Sequence, residues 1–152
     1  MEIKRLLLIL ILFLGFNFVE AQTDEELVKM AILNYVEGIY DVQPERIKKS
    51  VHPELVKKGF WREKDQTKYK DESVMTFDEL VDLAGKWNAK GWLPKDAPKV
   101  IEVFDVQDKT AVGKLTAHWG TDYFHLAKYG DRWMITNVLW QSPAPMDETA
   151  KN

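Results

Sequence analysis

Residues 110–141, TAVGKLTAHWGTDYFHLAKYGDRWMITNVLWQ, decide the fold. Apolar and polar residues alternate through Thr110–Trp119, Thr121–Tyr129 and Arg132–Gln141, with Gly120 and Gly130-Asp131 between the runs. Alternation with period two marks strands that bury one face, and glycine-bearing pairs between such runs mark hairpin turns. Two-residue loops at Gly120-Thr121 and Gly130-Asp131 set Trp119 against Asp122, Ala117 against Phe124 and Leu115 against Leu126. The next hairpin then sets Leu126 against Ile135, Phe124 against Asn137 and Asp122 against Leu139. One face collects Leu115, Ala117, Trp119, Asp122, Phe124, Leu126, Trp133, Ile135, Asn137 and Leu139. The other collects Lys114, Thr116, His118, Tyr123, His125, Met134, Thr136, Val138 and Trp140. The first is the more apolar and is expected to meet the rest of the fold. A one-residue slip in either hairpin exchanges the two sets.

Working outward, Lys99–Val106 reads as a further strand. A three-residue loop at Gln107-Asp108-Lys109 pairs Glu102 with Lys114, a favourable cross-strand match that sends Ile101 and Val103 to the core side. The chain before it is helical. Thr23 with Glu26 and Thr76 with Glu79 are capping boxes. The first opens a helix to about Tyr40, the second a helix to about Trp87. Between them Pro44 starts a short helix that His52-Pro53 ends, because the residue before proline is pushed out of the α region. Residues 59–72, GFWREKDQTKYKDE, are mostly charged and read as an exposed excursion anchored by Phe60 and Trp61.

At the N-terminus, Lys4-Arg5 precede an apolar run from Leu6, and Val19-Glu20-Ala21 has the form of a cleavage site. Residues 1–21 are therefore expected to be a secretory signal peptide, with an uncleaved anchor as the alternative. Residues 22–141 form one domain, and 142–152 a flexible tail with two prolines. Export places the protein in the periplasm or outside the cell, with no membrane contact after cleavage. The chain has 152 residues and a net charge of −3, which the loss of 1–21 leaves unchanged. That balance argues against nucleic acid as a partner. With no cysteine there is no thiolate nucleophile and no metal–thiolate site. Three histidines without metal spacing leave no metal or cofactor to expect.

Helices followed by an antiparallel meander make an α+β fold with the helices on one face of the sheet. Several segments carry a resemblance: Tyr35-x-x-Gly38-x-Tyr40-Asp41, Ser50-Val51-His52-Pro53, and Val103-Phe104-Asp105-Val106 with Thr110–Leu115. The most specific is Asp122-Tyr123-x-x-Leu126-x-Lys128-x-Gly130-x-x-Trp133-x-Ile135-x-Asn137. Together they resemble the nuclear-transport-factor-2-like (cystatin-like) superfamily, shared with ketosteroid isomerase and scytalone dehydratase. Within it the sequence is most similar to the "Putative lumazine-binding" family of small bacterial proteins, over residues 25–141. The resemblance implies a cone-shaped domain, three N-terminal helices packed on a curved antiparallel sheet, a pocket between them, and frequent dimerisation.

Two polar residues stand on the face that reads as core, Asp122 and Asn137. A buried carboxylate needs partners or an altered pKa. Asp122 either caps its hairpin turn or serves a pocket; Asn137 either lines that pocket or makes an internal hydrogen bond. His52 is a second acid–base candidate or a plain loop histidine. Tyr40, Trp61, Trp119 and Phe124 complete a candidate binding set, since aromatic walls suit a planar ligand. The reading this supports is an exported domain binding a small apolar or aromatic ligand. The alternatives are a ketosteroid-isomerase or scytalone-dehydratase-like enzyme using Asp122 or His52, and a non-catalytic interaction module. The second sheet face, with Met134, Val138 and Trp140, is expected to form a homodimer.

Overall fold

The structure, a computed structural model, describes residues 21–64 and 66–144. Helix α1 spans Asp24–Tyr40 and α2 spans Pro44–Ser50. Strand β1, Val51–Phe60, and the short β2, Ser73–Met75, precede α3, Phe77–Ala84. Strands β3 (Lys99–Val106), β4 (Thr110–Ala117), β5 (Gly120–Tyr129) and β6 (Arg132–Gln141) follow. The sheet order is β2-β1-β6-β5-β4-β3, and β1 runs parallel to β6 while the other neighbours are antiparallel. The sheet is thus mixed, and two strands lie ahead of the third helix. Both points correct the expectation of a purely antiparallel sheet behind three N-terminal helices.

Both capping boxes are present: Thr23 and Thr76 accept from Glu26 N and Glu79 N, and each Glu carboxylate accepts from its cap backbone N–H. Val28, Ile32, Tyr35, Val36 and Ile39 recur at helical spacing on α1 and are all buried against the sheet. The residues expected to end α2 instead begin β1. His52-Pro53 does stop the helix, but the chain continues extended beside β6, and Leu55, Lys57 and Gly59 face inward. The excursion therefore shrinks to the segment between β1 and β2.

The β3–β4 pairing is as expected up to Val103, with Glu102 opposite Lys114 and Ile101 opposite Leu115; a bulge at Phe104 then sets Val106 against Ala111, so the loop is one residue longer than the expected Gln107-Asp108-Lys109. In the β4–β5 hairpin the turn is His118-Trp119, so Leu115 faces Asp122 and Ala117 faces Gly120. Gly120 belongs to the sheet because its backbone, at φ 134°, lies against Gln141: a Cβ there would stand 2.0 Å from the Gln141 carbonyl oxygen. The displacement is an even number of residues, so the faces of β4 and β5 survive it.

The β5–β6 ladder changes parity. Leu126 faces Ile135, but His125 faces Asn137. Thr136 is the extra residue of a bulge, and its hydroxyl donates to the His125 carbonyl at 3.2 Å. Beyond it, Val138 and Trp140 turn inward beside Phe124 and Asp122, and Asn137 and Leu139 turn outward beside His125 and Tyr123. This corrects the expected faces for those four residues. Of the residues expected on a dimer face, Val138 is fully buried and Met134 is 5% exposed.

Candidate functional site

A cavity of about 750 Å³ opens at one end of the inner sheet face. Tyr35 and Ile39 of α1, Lys57 of β1 and Trp140 of β6 line it, together with Trp119 and His118 of the β4–β5 turn. Trp87 and Leu83 close one side, and Trp61, Arg62 and Lys64 stand on another, with Ser142–Ala144.

Its polar centre is a buried cluster. Asp122 has no exposed surface and Lys57 is 4% exposed. The Lys57 ammonium donates to the Tyr35 hydroxyl at 2.8 Å and to Asp122 Oδ1 at 3.2 Å. Tyr35 OH donates to the same Oδ1 at 3.3 Å, and Trp119 Nε1–H donates to Oδ2. Asp122 thus accepts from three side chains, each of which also lines the cavity. The Lys57 charge lies 5.5 Å from the Tyr35 ring centroid and 5.3 Å from that of Trp140. Burial pushes the Lys57 amine below its ordinary value while Asp122 pulls it back up. Burial, reinforced by Asp122, holds the Tyr35 phenol well above its ordinary value, so it stays a neutral donor. A buried ion pair is a costly way to fill a core and contributes little net stability. Its presence at a cavity floor points to a use other than packing.

The aromatic walls are fixed by their own contacts. Trp119 meets Trp87 edge-on at 5.4 Å and Tyr40 at 5.3 Å. Tyr40 stacks on Trp87 at 5.8 Å, donates to the Pro98 carbonyl at 2.8 Å, and accepts from His118 N at 2.7 Å. Trp140 fits because residue 59 is glycine; a Cβ there would lie 2.2 Å from the indole.

Of the residues singled out in the sequence, Trp61 and Trp119 line the cavity, and Asp122 lies directly behind its lining. Tyr40 acts from behind, holding the turn that carries Trp119. Phe124 is a core residue, 1% exposed and edge-on to Tyr35 at 5.2 Å. Asn137 is on the outer face, opposite Val56 and His125, and does not join Asp122. His52 stacks on Tyr129 at 4.6 Å, accepts from Glu54 N at 3.2 Å, and is not among the lining residues. Asp122 and His52 therefore do not converge. Sequence reasoning misses Lys57 and Arg62 because each has charged neighbours and reads as solvent-facing. Only Lys57 carries a signal: Leu55, Lys57 and Gly59 share a parity that strand pairing sends inward, and Arg62 lies beyond the strand. Ser142 and Pro143, expected to begin a flexible tail, are tied down. Ser142 is 4% exposed and its hydroxyl accepts from Arg62 N, while the Arg62 guanidinium donates to the Pro143 carbonyl. The tail from residue 145 and the expected signal peptide up to residue 20 lie outside the described residues. Among the described residues, no group of His, Asp and Glu side chains could hold a metal ion.

The model of the family described as "Putative lumazine-binding" matches residues 23–141. The chain belongs to this family. Solved structures agree on the fold. An NTF2-like protein of unknown function from Shewanella baltica OS155 is 16% identical, with TM-score 0.56 over 79% of this chain and 96% of that one. Another from Silicibacter pomeroyi DSS-3 is 10% identical, with TM-score 0.55 over 80% and 99%. A ketosteroid isomerase-like protein from Erwinia carotovora atroseptica SCRI1043 is 16% identical, with TM-score 0.52 over 81% and 100%. No curated protein sequence matches this lumazine-binding-family chain.

Proposed function

We propose that the protein is an exported domain that holds a small, largely apolar or aromatic ligand in the cavity between helices and sheet. One observation carries the reading: tryptophans wall the cavity, and the buried Lys57–Tyr35–Asp122 cluster lies at its floor. Binding sites pair apolar walls with a few placed polar groups, and this cavity has that composition. The family's name and the cone-shaped outline that the fold implies are consistent with it. The isomerase or dehydratase alternative draws less support. It needs a carboxylate free to move a proton, and Asp122 is saturated by three donors. His52, stacked on Tyr129, is apart from the cavity.

Export is proposed from residues 1–21, and a mature protein beginning at Gln22 would support it. Homodimerisation is proposed through the outer sheet face, where Val56, Val100, Tyr123 and Leu139 are each about half exposed. Leu139→Glu should then give a folded monomer in sedimentation. Native mass spectrometry of protein purified from the cells that make it tests the binding function. A retained small molecule, absent from a Trp119→Ala variant, is the expected result. A wild-type mass equal to the polypeptide alone, together with no shift on offering aromatic compounds, would refute it.

A further inference from the structure

Among the described residues the cavity lining carries charge of one sign. It includes the cations Lys57, Arg62 and Lys64, and no acid. Lys57 is neutralised by Asp122 behind it. Among the described residues Arg62 has no such partner. It is 9% exposed, and every side-chain bond it makes is to a backbone carbonyl. Nε and Nη2 donate to Pro143 at 3.3 and 2.9 Å; Nη1 donates to Glu63 at 3.0 Å, to Lys64 at 3.2 Å, and to Gln66. Among the described residues no carboxylate is within ion-pair distance of Arg62, and the adjacent acid, Glu63, pairs with Lys70 at 3.0 Å. Carbonyl dipoles orient a guanidinium but supply no countercharge, and a buried cation without one is costly. Lys64, exposed on the same wall, adds a second positive charge. The chain as a whole is acidic, at −3, so the cavity is set against the sign of its surroundings.

We infer that the ligand is an organic anion, an aromatic body bearing a carboxylate, with its charge toward Arg62 and Lys64 and its rings among the tryptophans. This rests on the cavity being a ligand site. Arg62 serves the role well, since a guanidinium keeps its charge at every accessible pH and its Nη2 retains a second N–H beyond the one given to Pro143. The ligand's carboxylate would supply a countercharge to the guanidinium, and the clamp on Pro143 would hold Ser142–Ala144 beside it.

The test compares 2-naphthoate with 2-naphthamide, which match in size and differ in charge, by titration calorimetry on the purified protein at neutral pH and low salt. The expected result is naphthoate binding about tenfold tighter or more, the effect of one charge-assisted contact. The preference should shrink on adding salt, as screening requires. Arg62→Gln should bring the two ligands close to equal affinity, and Arg62→Lys should keep most of the preference. Because Arg62 also clamps Pro143, Lys64→Gln gives a second measure; the Lys64 side chain makes no hydrogen bond among the described residues, and its loss should reduce the preference by about threefold, a partial loss of a screened charge. Equal wild-type affinities would overturn the inference and leave the cavity reading standing. A preference that survives both Arg62→Gln and Lys64→Gln would overturn the assignment to these residues. Failure of both ligands to bind would remove the cavity reading and the inference with it.

Discussion

The inner face of the sheet has a closed end and an open end, built from the same strands. At the closed end Ala111, Leu126 and Ile135 are buried under α1, with no polar group among them. Gly113 lets the helix approach so closely that a Cβ there would lie 2.7 Å from Ile32 Cδ1. At the open end another glycine does the reverse. Gly59 leaves room for the Trp140 ring, and Asp122, Lys57 and Tyr35 replace the aliphatic side chains. The contrast teaches that helix coverage sets the chemistry of the face. Where α1 presses on the sheet, packing fills the space. Where Trp61, Arg62 and Ser142–Ala144 stand instead, a cavity and a buried charge pair remain.

Single substitutions at the two ends should separate stability from binding. Asp122→Ala leaves the Lys57 ammonium buried and unpaired and should cost about 3–5 kcal/mol. Leu126→Ala, at the closed end, should cost about 2–5 kcal/mol through lost burial and the cavity it leaves. Urea titrations measure both. Only the first should also abolish ligand binding; equal loss of binding in Leu126→Ala, measured where it is fully folded, would blur the division between the ends.

A smaller effect is expected at Gly59. Gly59→Ala drives a methyl into Trp140 and should cost about 1–3 kcal/mol by overpacking. The diagnostic is local: tryptophan emission should shift and binding should fall, while Gly113→Ala, its counterpart at the closed end, leaves emission from the cavity tryptophans unchanged.

Acid should act chiefly on the ion pairs that fasten the two ends of α1 to the sheet. Lys99, donating at 2.8 Å, holds the Glu37 carboxyl below its ordinary value against the opposing effect of burial, with Arg46 adding to it. Hydrogen bonds from Lys128 and Trp133 lower Asp24 in the same way. A carboxyl whose folded pKa is depressed binds protons more readily in the unfolded chain. Its stabilisation is present above the ordinary carboxylate range and is lost as pH falls through the depressed value. Urea midpoints should therefore drop between pH 6 and pH 3, and Glu37→Gln should make that drop shallower. A drop of the same size in the variant would place the acid sensitivity elsewhere.

The closed end was far more legible in the sequence than the open one. Capping boxes at Thr23 and Thr76, helical spacing along α1 and the Glu102–Lys114 pair all follow from local rules, and they fix the helices and the β3–β4 register. The open end depends on long-range events. One extra residue, Thr136, reverses which side chains of β6 face inward, so Trp140 and Asn137 exchange roles. Strand β1 was hidden because Lys57 and Lys58 look alike in sequence, and only pairing with β6 separates an inward lysine from an outward one. Asp122 could be placed on the inner face from alternation alone, yet its partners come from α1, β1 and a turn, which no local pattern connects.

The central claim is that the Lys57–Asp122 pair exists for the ligand rather than for the fold. The double variant Lys57→Met, Asp122→Leu tests it most directly. Replacing both members of a buried pair by apolar residues of similar size is often neutral or stabilising. Urea titration of the double variant should give a midpoint at or above that of the wild type, and calorimetry with 2-naphthoate should show binding reduced about tenfold, the loss of a desolvated cation beside the ligand's rings. A folded double variant that binds as tightly as the wild type would contradict the account.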